Sequence, residues 1–157
     1  MNLWRISNYA DLLGVGALGS SGRWHHAGKP VVYLAENPSS ALLEILVHLE
    51  VDEDELPENY QLLAVLAAEG TRTEEIDVSS LPVGWEDNLE HTRKLGDRWL
   101  DGSPSALLRV PSAITPATYN WLFNPRHPDA PKVTILKADK HRYDTRLFRW
   151  TRPVLQP

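Results

Sequence analysis

Glycine is concentrated in one stretch of this chain, and that stretch constrains the fold more than any other sequence feature. Five of the nine glycines lie within fifteen residues, at Gly14, Gly16, Gly19, Gly22 and Gly28. Glycine destabilises helix interiors and permits backbone conformations that other residues avoid. We therefore predict a shaped loop over residues 14–30 rather than a regular element.

The first six residues of this loop, 14–19, match the dinucleotide-binding pattern G-x-G-x-x-G. In a Rossmann unit these glycines join a strand to a helix, and a crossover of about a dozen or more residues precedes the next strand. Here Gly22, Gly28 and Pro30 follow at once, and the next apolar run begins at Val31. No crossover helix fits in this interval, so the sequence argues against a Rossmann fold.

The rest of the pattern predicts one α+β domain over residues 1–157, because this length suits one hydrophobic core and no linker or repeat divides it. Short apolar runs predict strands at residues 3–6, 31–34, 106–110, 133–136 and 146–150. Helical spacing predicts a helix over residues 41–50 with Ser40 as its N-cap, and a second over 87–95 that ends at Gly96. Residues 60–68 fit a strand or a helix, 52–58 an acidic loop, and 124–128 a proline-bracketed turn.

Charge and composition exclude several classes of function. Sixteen Lys and Arg against twenty-one Asp and Glu give a net charge of -5, which argues against direct binding to DNA or to an anionic membrane. Cysteine is absent, which excludes disulfides and thiol chemistry and fits a reducing cytoplasm. No apolar run reaches the length of a membrane span. The histidines lack metal-ligand spacing, so no metal site is predicted.

Two charged residues are candidates for chemistry. Arg23 lies in the glycine-rich loop beside Trp24. It is placed either to bind a phosphate through its planar guanidinium or to lie on the surface while Trp24 packs on the core. Glu44 lies within an apolar helical run, where a buried carboxylate must be paired or functional, although it also fits the polar stripe of an amphipathic helix.

Ser112 follows Pro111 and has no nucleophile-elbow context, so we predict a hydrogen-bonding serine rather than a nucleophile.

Eight short segments in a fixed order carry a resemblance. They are Leu3-Trp4-Arg5, Gly22-Arg23-Trp24, Val32-Tyr33-Leu34-Ala35, Ala41-Leu42-Leu43-Glu44, Leu81-Pro82, Gly96-Asp97-Arg98-Trp99, Val110-Pro111-Ser112 and Asn124-Pro125-Arg126-His127-Pro128. Together they resemble the RES-domain family, the toxin half of Xre-RES toxin-antitoxin pairs. Ser21 and His25 depart from the family, which usually has glycine and asparagine there.

The resemblance implies a fold related to the ADP-ribosyltransferase toxins and a site that consumes NAD as a substrate, with no separate cofactor. Arg23, Tyr33, Glu44 and Ser112 match the family's functional residues, and Arg5 is a weaker candidate for an NAD contact. In the implied roles Glu44 stabilises the ribose cation, Arg23 anchors the pyrophosphate, Tyr33 stacks on nicotinamide and Ser112 binds the nicotinamide amide or the ribose.

Trp24 and Asn124 complete the set as substrate-binding candidates within matched motifs. We expect Glu44 to be ionised, with Arg5 or Arg23 as the cationic neighbour that offsets its burial.

The implied activity is cleavage of the nicotinamide N-glycosidic bond with water or phosphate as acceptor, which depletes NAD and arrests growth. Two alternatives stay open: a mono-ADP-ribosyltransferase that modifies a protein, disfavoured because Leu46 replaces the second acid of a Glu-x-Glu pair, and a non-catalytic domain that binds a nucleotide or the antitoxin. The implied partner is an antitoxin with an Xre-type helix-turn-helix domain. The resemblance also implies a homodimer or a toxin-antitoxin hetero-oligomer.

Overall fold

The fold is built on a single sheet of seven strands, seen in a computed structural model that describes residues 1–48 and 57–151. The strands are β1 Asn2–Ile6, β2 Val32–Ala35, β3 Asn59–Ala67, β4 Thr73–Glu75, β5 Leu107–Pro111, β6 Tyr119–Phe123 and β7 Val133–Arg142. Their order across the sheet is β4-β5-β6-β2-β1-β3-β7, and every pair is antiparallel except β4 with β5. This arrangement confirms the α+β class and the rejection of a Rossmann fold.

Three α-helices accompany the sheet in the described part of the chain: α1 Gly16–Gly19, α2 Pro38–Leu46 and α3 Leu89–Gly102. Short 3-10 helices cover Val78–Ser80, Trp85–Asp87, Ala130–Lys132 and Thr145–Thr151. The predicted acidic loop lies largely outside the described residues, as do the last two residues of the helix predicted over 41–50. No helix within residues 1–48 and 57–151 combines the length and the hydropathy needed to cross a bilayer.

The helix boundaries differ from the predictions, one for a local reason and one because of a tertiary contact. α2 begins at Pro38 because the side chain of Asn37, rather than Ser40, is the N-cap and accepts the Ser40 N–H at 2.9 Å. α3 does not end at Gly96, which lies inside it, and continues to Gly102. Gly96 is needed there for packing, because the carbonyl oxygen of Trp24 would lie 1.7 Å from a Cβ at this position.

The strand predictions are confirmed for β1, β2, β5 and β7, and the uncertain segment 60–68 is a strand, β3. The strand predicted at residues 146–150 is wrong, because this segment belongs to a 3-10 helix. Asp144 Oδ1 accepts the Arg146 N–H at 2.9 Å, a local turn that replaces strand pairing. The prediction omitted β4 and β6, and β6 is an interior strand of the sheet.

Alternating side chains place a hydrophobic cluster on each face of the sheet. Leu107 and Phe123 belong to one cluster, with Leu3, Val32 and Leu63. Leu108 and Leu122, one residue along, belong to the other, where the tryptophans of the glycine-rich loop and α3 pack. α3 and the loop therefore cover one face and hold each other in place.

The sheet is weakly joined at its middle. β1 and β2 share a single pair of residues, Trp4 with Ala35, whereas β1 pairs with β3 from Asn2 to Ile6. The two parts of the sheet, β4-β5-β6-β2 and β1-β3-β7, therefore diverge at this junction, and the divergence creates space between strands that carry candidate residues.

Candidate active site

A cavity of about 670 Å³ lies at the junction between β1 and β2. Its volume is in the range of small-molecule binding sites. The wall takes residues from both strands, from α2, from α3 and from the glycine-rich loop, and it includes Arg5, Arg23, Tyr33, Glu44, Arg93 and Asn120. The fold thus brings together Arg5, Arg23, Tyr33 and Glu44, which are distant in sequence, and it adds two residues that the sequence analysis did not select.

Glu44 is half-buried on α2, and its carboxylate is oriented by two neutral donors. Asn120 Nδ2 donates to Oε1 at 2.5 Å, and Ser112 Oγ donates to the same oxygen at 3.3 Å. Within the described residues, no hydrogen bond reaches Oε2. One oxygen is therefore held by the protein, and the other is available to a ligand in the cavity.

In the described part of the chain, no ion pair includes the Glu44 carboxylate. Arg5 instead donates to the backbone carbonyl of Asp11 at 2.8 Å, and Arg23 donates to that of Glu86 at 2.5 Å. Arg5 and Arg23 nevertheless line the same cavity as Glu44, and their role as its cationic neighbours remains a prediction. Hydrogen bonds from an amide and a hydroxyl stabilise a carboxylate and leave the arginine charges for a ligand.

Ser112 donates a hydrogen bond to Glu44 while its own hydroxyl oxygen stabilises the turn that follows it. Its hydroxyl oxygen accepts the backbone N–H groups of Ile114 and Thr115, at 3.1 and 3.3 Å, while the O–H donates to Glu44. Both acceptor positions of the oxygen and its proton are thus in use. The predicted contact of Ser112 with nicotinamide or ribose remains a prediction, and in this structure its hydroxyl orients the carboxylate.

The hydroxyl of Tyr33 joins β2 to the glycine-rich loop. It accepts the Trp24 N–H at 3.0 Å and lies 2.9 Å from Nδ1 of His25. We assign the His25 proton to Nε2, which lies 3.1 Å from the carbonyl oxygen of Ser20, so Nδ1 accepts from Tyr33. Burial lowers the pKa of His25 and raises that of Tyr33, which keeps both groups neutral. The predicted stacking of the Tyr33 ring on nicotinamide remains a prediction.

Gly22 must be glycine for this network to form. A Cβ at this position would lie 2.5 Å from the Tyr33 hydroxyl oxygen and 2.8 Å from the His25 ring. The Gly22 N–H in turn donates to His25, to its carbonyl oxygen at 3.1 Å and to Nδ1 at 3.2 Å. His25, noted in the sequence only as a departure from the family pattern, is therefore part of what shapes the loop.

α3 holds the other side of the loop. Thr92 Oγ1 donates to the carbonyl oxygen of Arg23 at 2.7 Å, and Arg93 Nε donates to that of Gly22 at 2.8 Å. Asp97 accepts the backbone N–H of His26 at 3.1 Å and lies 2.7 Å from its ring nitrogen Nδ1. These contacts fix the backbone on both sides of Arg23, so its side chain extends from a backbone segment that is held in place.

Two predicted substrate-binding residues have mainly structural surroundings. Trp24 borders the cavity but is 2% exposed, and its ring packs on Trp85 with centroids 5.7 Å apart. Asn124 follows β6 and does not line the cavity described here. Its side chain donates to Ser103 Oγ at 3.1 Å and accepts the Arg126 N–H at 3.0 Å, so its amide stabilises a turn away from Glu44.

The sequence analysis missed Asn120 and Arg93. The run 119–123 is rich in aromatic residues, a pattern typical of a strand, and recognising it would have placed Asn120 beside apolar neighbours in the sheet. Arg93 gave no local signal, because it is one of several charged residues on α3. Their proximity to Glu44 and Gly22 comes from tertiary structure alone.

Comparison with known proteins agrees with the motif order. A model of the family described as RES domain matches residues 2–147. A protein of Pseudomonas putida named Toxin Res is 49% identical over 148 residues, which are 94% of this chain and 100% of that protein. A Sphingobium protein named Prs ADP-ribosylating toxin is 36% identical over 94% of this chain and 97% of that protein.

The fold also has a counterpart among solved structures. A chain in the crystal structure of the M. tuberculosis MbcT-MbcA toxin-antitoxin complex superimposes with a TM-score of 0.66 at 16% identity, over 90% of this chain and 84% of that chain. This likeness supports the expected α+β toxin fold.

Proposed function

This chain belongs to the RES-domain family, and on that premise we propose that it is the toxin of a toxin-antitoxin pair and acts by breaking the nicotinamide N-glycosidic bond of NAD. The observation that carries the proposal is the position of Glu44. Its carboxylate is oriented by neutral donors, keeps Oε2 open to ligand, and shares one cavity with three arginines.

The charge of the cavity supports a dinucleotide as the ligand. Arg5, Arg23 and Arg93 line it together with Glu44, the one acid among the described residues of the wall, although the chain as a whole has a net charge of -5. A guanidinium binds phosphate oxygens through paired hydrogen bonds. The diphosphate of NAD therefore fits the basic part of the wall and places its nicotinamide ribose in reach of the acidic part.

Cleavage of this bond proceeds through a transition state resembling an oxocarbenium ion, as in glycoside hydrolysis. The C1′–N bond breaks, its electron pair leaves with nicotinamide, and positive charge develops on the ribose. The open oxygen of Glu44 stabilises that charge. Water or phosphate then forms a bond to C1′ through an oxygen and gives up its proton to solvent.

Cleavage also requires that the substrate is held in a fixed position, and the glycine-rich loop provides the residues that hold it. Arg23 anchors the diphosphate, and because α3 holds the loop backbone on both sides, this anchor sets the distance from the scissile bond to Glu44. The ring of Tyr33 offers an aromatic face for the cationic nicotinamide, a contact of about 0.5 to 2 kcal/mol.

The proposed binding partner is inferred from similar proteins. A solved structure with this fold is a toxin-antitoxin complex, so we propose an antitoxin as the partner of this chain, with an Xre-type DNA-binding domain.

A transferase that modifies a protein is the second candidate. The name of the Sphingobium relative favours it, because that protein is described as ADP-ribosylating. Both functions use the same cavity and differ only in the acceptor. Mass spectrometry of the products separates them: free ADP-ribose or its 1-phosphate indicates NAD degradation, and an ADP-ribose adduct on a protein indicates transfer.

The proposal is tested with Glu44→Gln, which keeps the size of the side chain and removes its charge. We expect nicotinamide release from NAD, followed by chromatography, to fall by about 100-fold or more. Glu74→Gln is the matched control, since Glu74 is exposed on β4 away from the cavity, and it should release nicotinamide at the wild-type rate. Equal rates for the Glu44 variant and the wild type would remove Glu44 from the mechanism.

A further inference from the structure

Arg93 is the arginine of the cavity that no motif indicates. It lies on α3, is half-buried, and is part of the cavity wall. Its Nε donates to the carbonyl oxygen of Gly22 at 2.8 Å, and no other hydrogen bond from the described residues reaches its guanidinium. The two terminal nitrogens, Nη1 and Nη2, are therefore available to a ligand.

The three cavity arginines share a mode of attachment. Each is fixed by a backbone carbonyl, that of Asp11 for Arg5, Glu86 for Arg23 and Gly22 for Arg93. A carbonyl orients a guanidinium without neutralising it.

Arginines elsewhere are attached differently. Arg72 pairs with the carboxylate of Asp129, and Arg109 pairs with those of Glu36 and Glu75. The cavity thus holds oriented guanidinium groups that form no ion pair with a carboxylate of the described residues.

Arg93 is also coupled directly to the loop that carries Arg23. Its acceptor, the carbonyl of Gly22, belongs to the peptide bond that links Gly22 to Arg23. Neighbouring Thr92 bonds the carbonyl of Arg23 itself, at 2.7 Å. The Arg93 guanidinium is thus held at the backbone segment from which the Arg23 side chain extends, and the Arg23 guanidinium is held by the carbonyl of Glu86.

We propose that Arg93 binds the diphosphate of the substrate together with Arg23, so that the two arginines form a clamp selective for a diphosphate over a monophosphate. The inference rests on the proposed function for the identity of the substrate, NAD, and adds a substrate-binding residue to it. Two fixed forks bind two adjacent phosphates with both partners already oriented, which lowers the entropic cost of binding.

The test measures binding without chemistry. The purified chain is titrated calorimetrically with ADP and with AMP, as wild type, as Arg93→Gln and as the control Arg98→Gln. Glutamine at position 93 keeps an N–H for the Gly22 carbonyl and removes the charge. Arg98 is an exposed arginine on the same helix and does not line the cavity described here.

We expect the wild type and Arg98→Gln to bind ADP more tightly than AMP. In Arg93→Gln, the Kd for ADP should rise about tenfold and the Kd for AMP about twofold, so the preference is largely lost. Added salt should weaken ADP binding less in Arg93→Gln than in the wild type. If Arg93→Gln does not fold, Arg93→Lys keeps the charge, loses the fork, and should still reduce the preference for ADP.

An ADP affinity within about twofold of wild type, or equal losses for ADP and AMP, would overturn the clamp. The NAD assay separates this failure from that of the proposed function. If the wild type releases nicotinamide and Arg93→Gln has an unchanged KM for NAD, the clamp is wrong and the proposed function stands. If the wild type releases none and the ADP preference depends on Arg93, the clamp stands and the proposed function is wrong.

Discussion

Replacing Gly96 with alanine tests how α3 holds the glycine-rich loop. A Cβ at this position would lie 1.7 Å from the carbonyl oxygen of Trp24 and 2.8 Å from its carbonyl carbon. Non-bonded atoms pack at roughly 3.5 Å, so the helix and the loop must separate by about 1.5 to 2 Å. Both sides of this contact are backbone, and neither can escape by a change of rotamer.

The free energy of unfolding should fall despite a better helix former. Alanine gains about 1 kcal/mol over glycine in a helix interior. Overpacking costs about 1 to 3 kcal/mol or more, and the backbone contact places this site at the upper end. The separation also stretches the bonds of Thr92 and Arg93 to the loop, at about 1 kcal/mol each. The net loss is about 2 to 4 kcal/mol, or about 5 to 15 °C in Tm for a chain of this size.

Thermal unfolding followed by circular dichroism measures this loss, and Gly102→Ala on the same helix is the control. A Cβ on Gly102 would meet only Pro104 Cδ at 3.8 Å, an ordinary contact, so its Tm should equal or slightly exceed that of wild type. Because the loop carries Arg23, the Gly96 variant should also show a raised KM for NAD. A Tm within about 1 °C of the control would refute the close approach of α3 and the loop.

Three further predictions concern the same network. Asn120→Asp places a second carboxylate against Glu44, so the acid limb of the kcat–pH profile for NAD cleavage should move to higher pH. An acid limb at the same pH as in the wild type would contradict the contact between residue 120 and the Glu44 carboxylate. Tyr33→Phe removes a hydroxyl that makes two loop contacts, and urea unfolding should show a loss of about 1 to 3 kcal/mol, whereas wild-type stability would contradict those contacts. Hydrogen bonding to Asp97 raises the pKa of His26, so the protonated His26 stabilises the fold fully below about pH 6.5, and this stabilisation is lost as the pH rises through the folded-state pKa. The urea midpoint of the wild type should fall over that pH range, and that of His26→Gln should fall less. Equal profiles of urea midpoint against pH for the two proteins would exclude His26 as the cause.

Residue types and short apolar runs in the sequence predicted those elements of the fold that local sequence determines. Glycine content identified the loop, and apolar runs located β1, β2, β5 and β7. One error arose where a distant contact decides the structure. Gly96 resembles a helix terminator but lies within α3, because the backbone of Trp24, 72 residues earlier, packs against it. β6 lacked strict alternation, so it was not predicted, although it joins β5 to β2.

The candidate site likewise contains some residues that the local sequence indicates and others that only the tertiary structure brings in. A carboxylate in an apolar helical run and an arginine in a glycine loop are unusual enough to be selected from sequence, and both line the cavity. Their partners are not visible there. Asn120 bonds Glu44 across 76 residues and Arg93 bonds Gly22 across 71, so only the fold relates them. The bonds from Asn120 and Ser112 to Glu44 were not predicted for the same reason.

Glu44 and Arg5 are attached to parts of the sheet that share a single residue pair, between β1 and β2. Glu44 and the groups that bond it, Ser112 and Asn120, all follow or belong to strands on the β2 side, whereas Arg5 lies on β1. The helix that carries Glu44 contacts both β1 and β2, so a change in the angle between these strands would act on the acid as well as on Arg5. Substitutions at the junction should therefore change the distance between Arg5 and Glu44, and with it the fit of a ligand that contacts both.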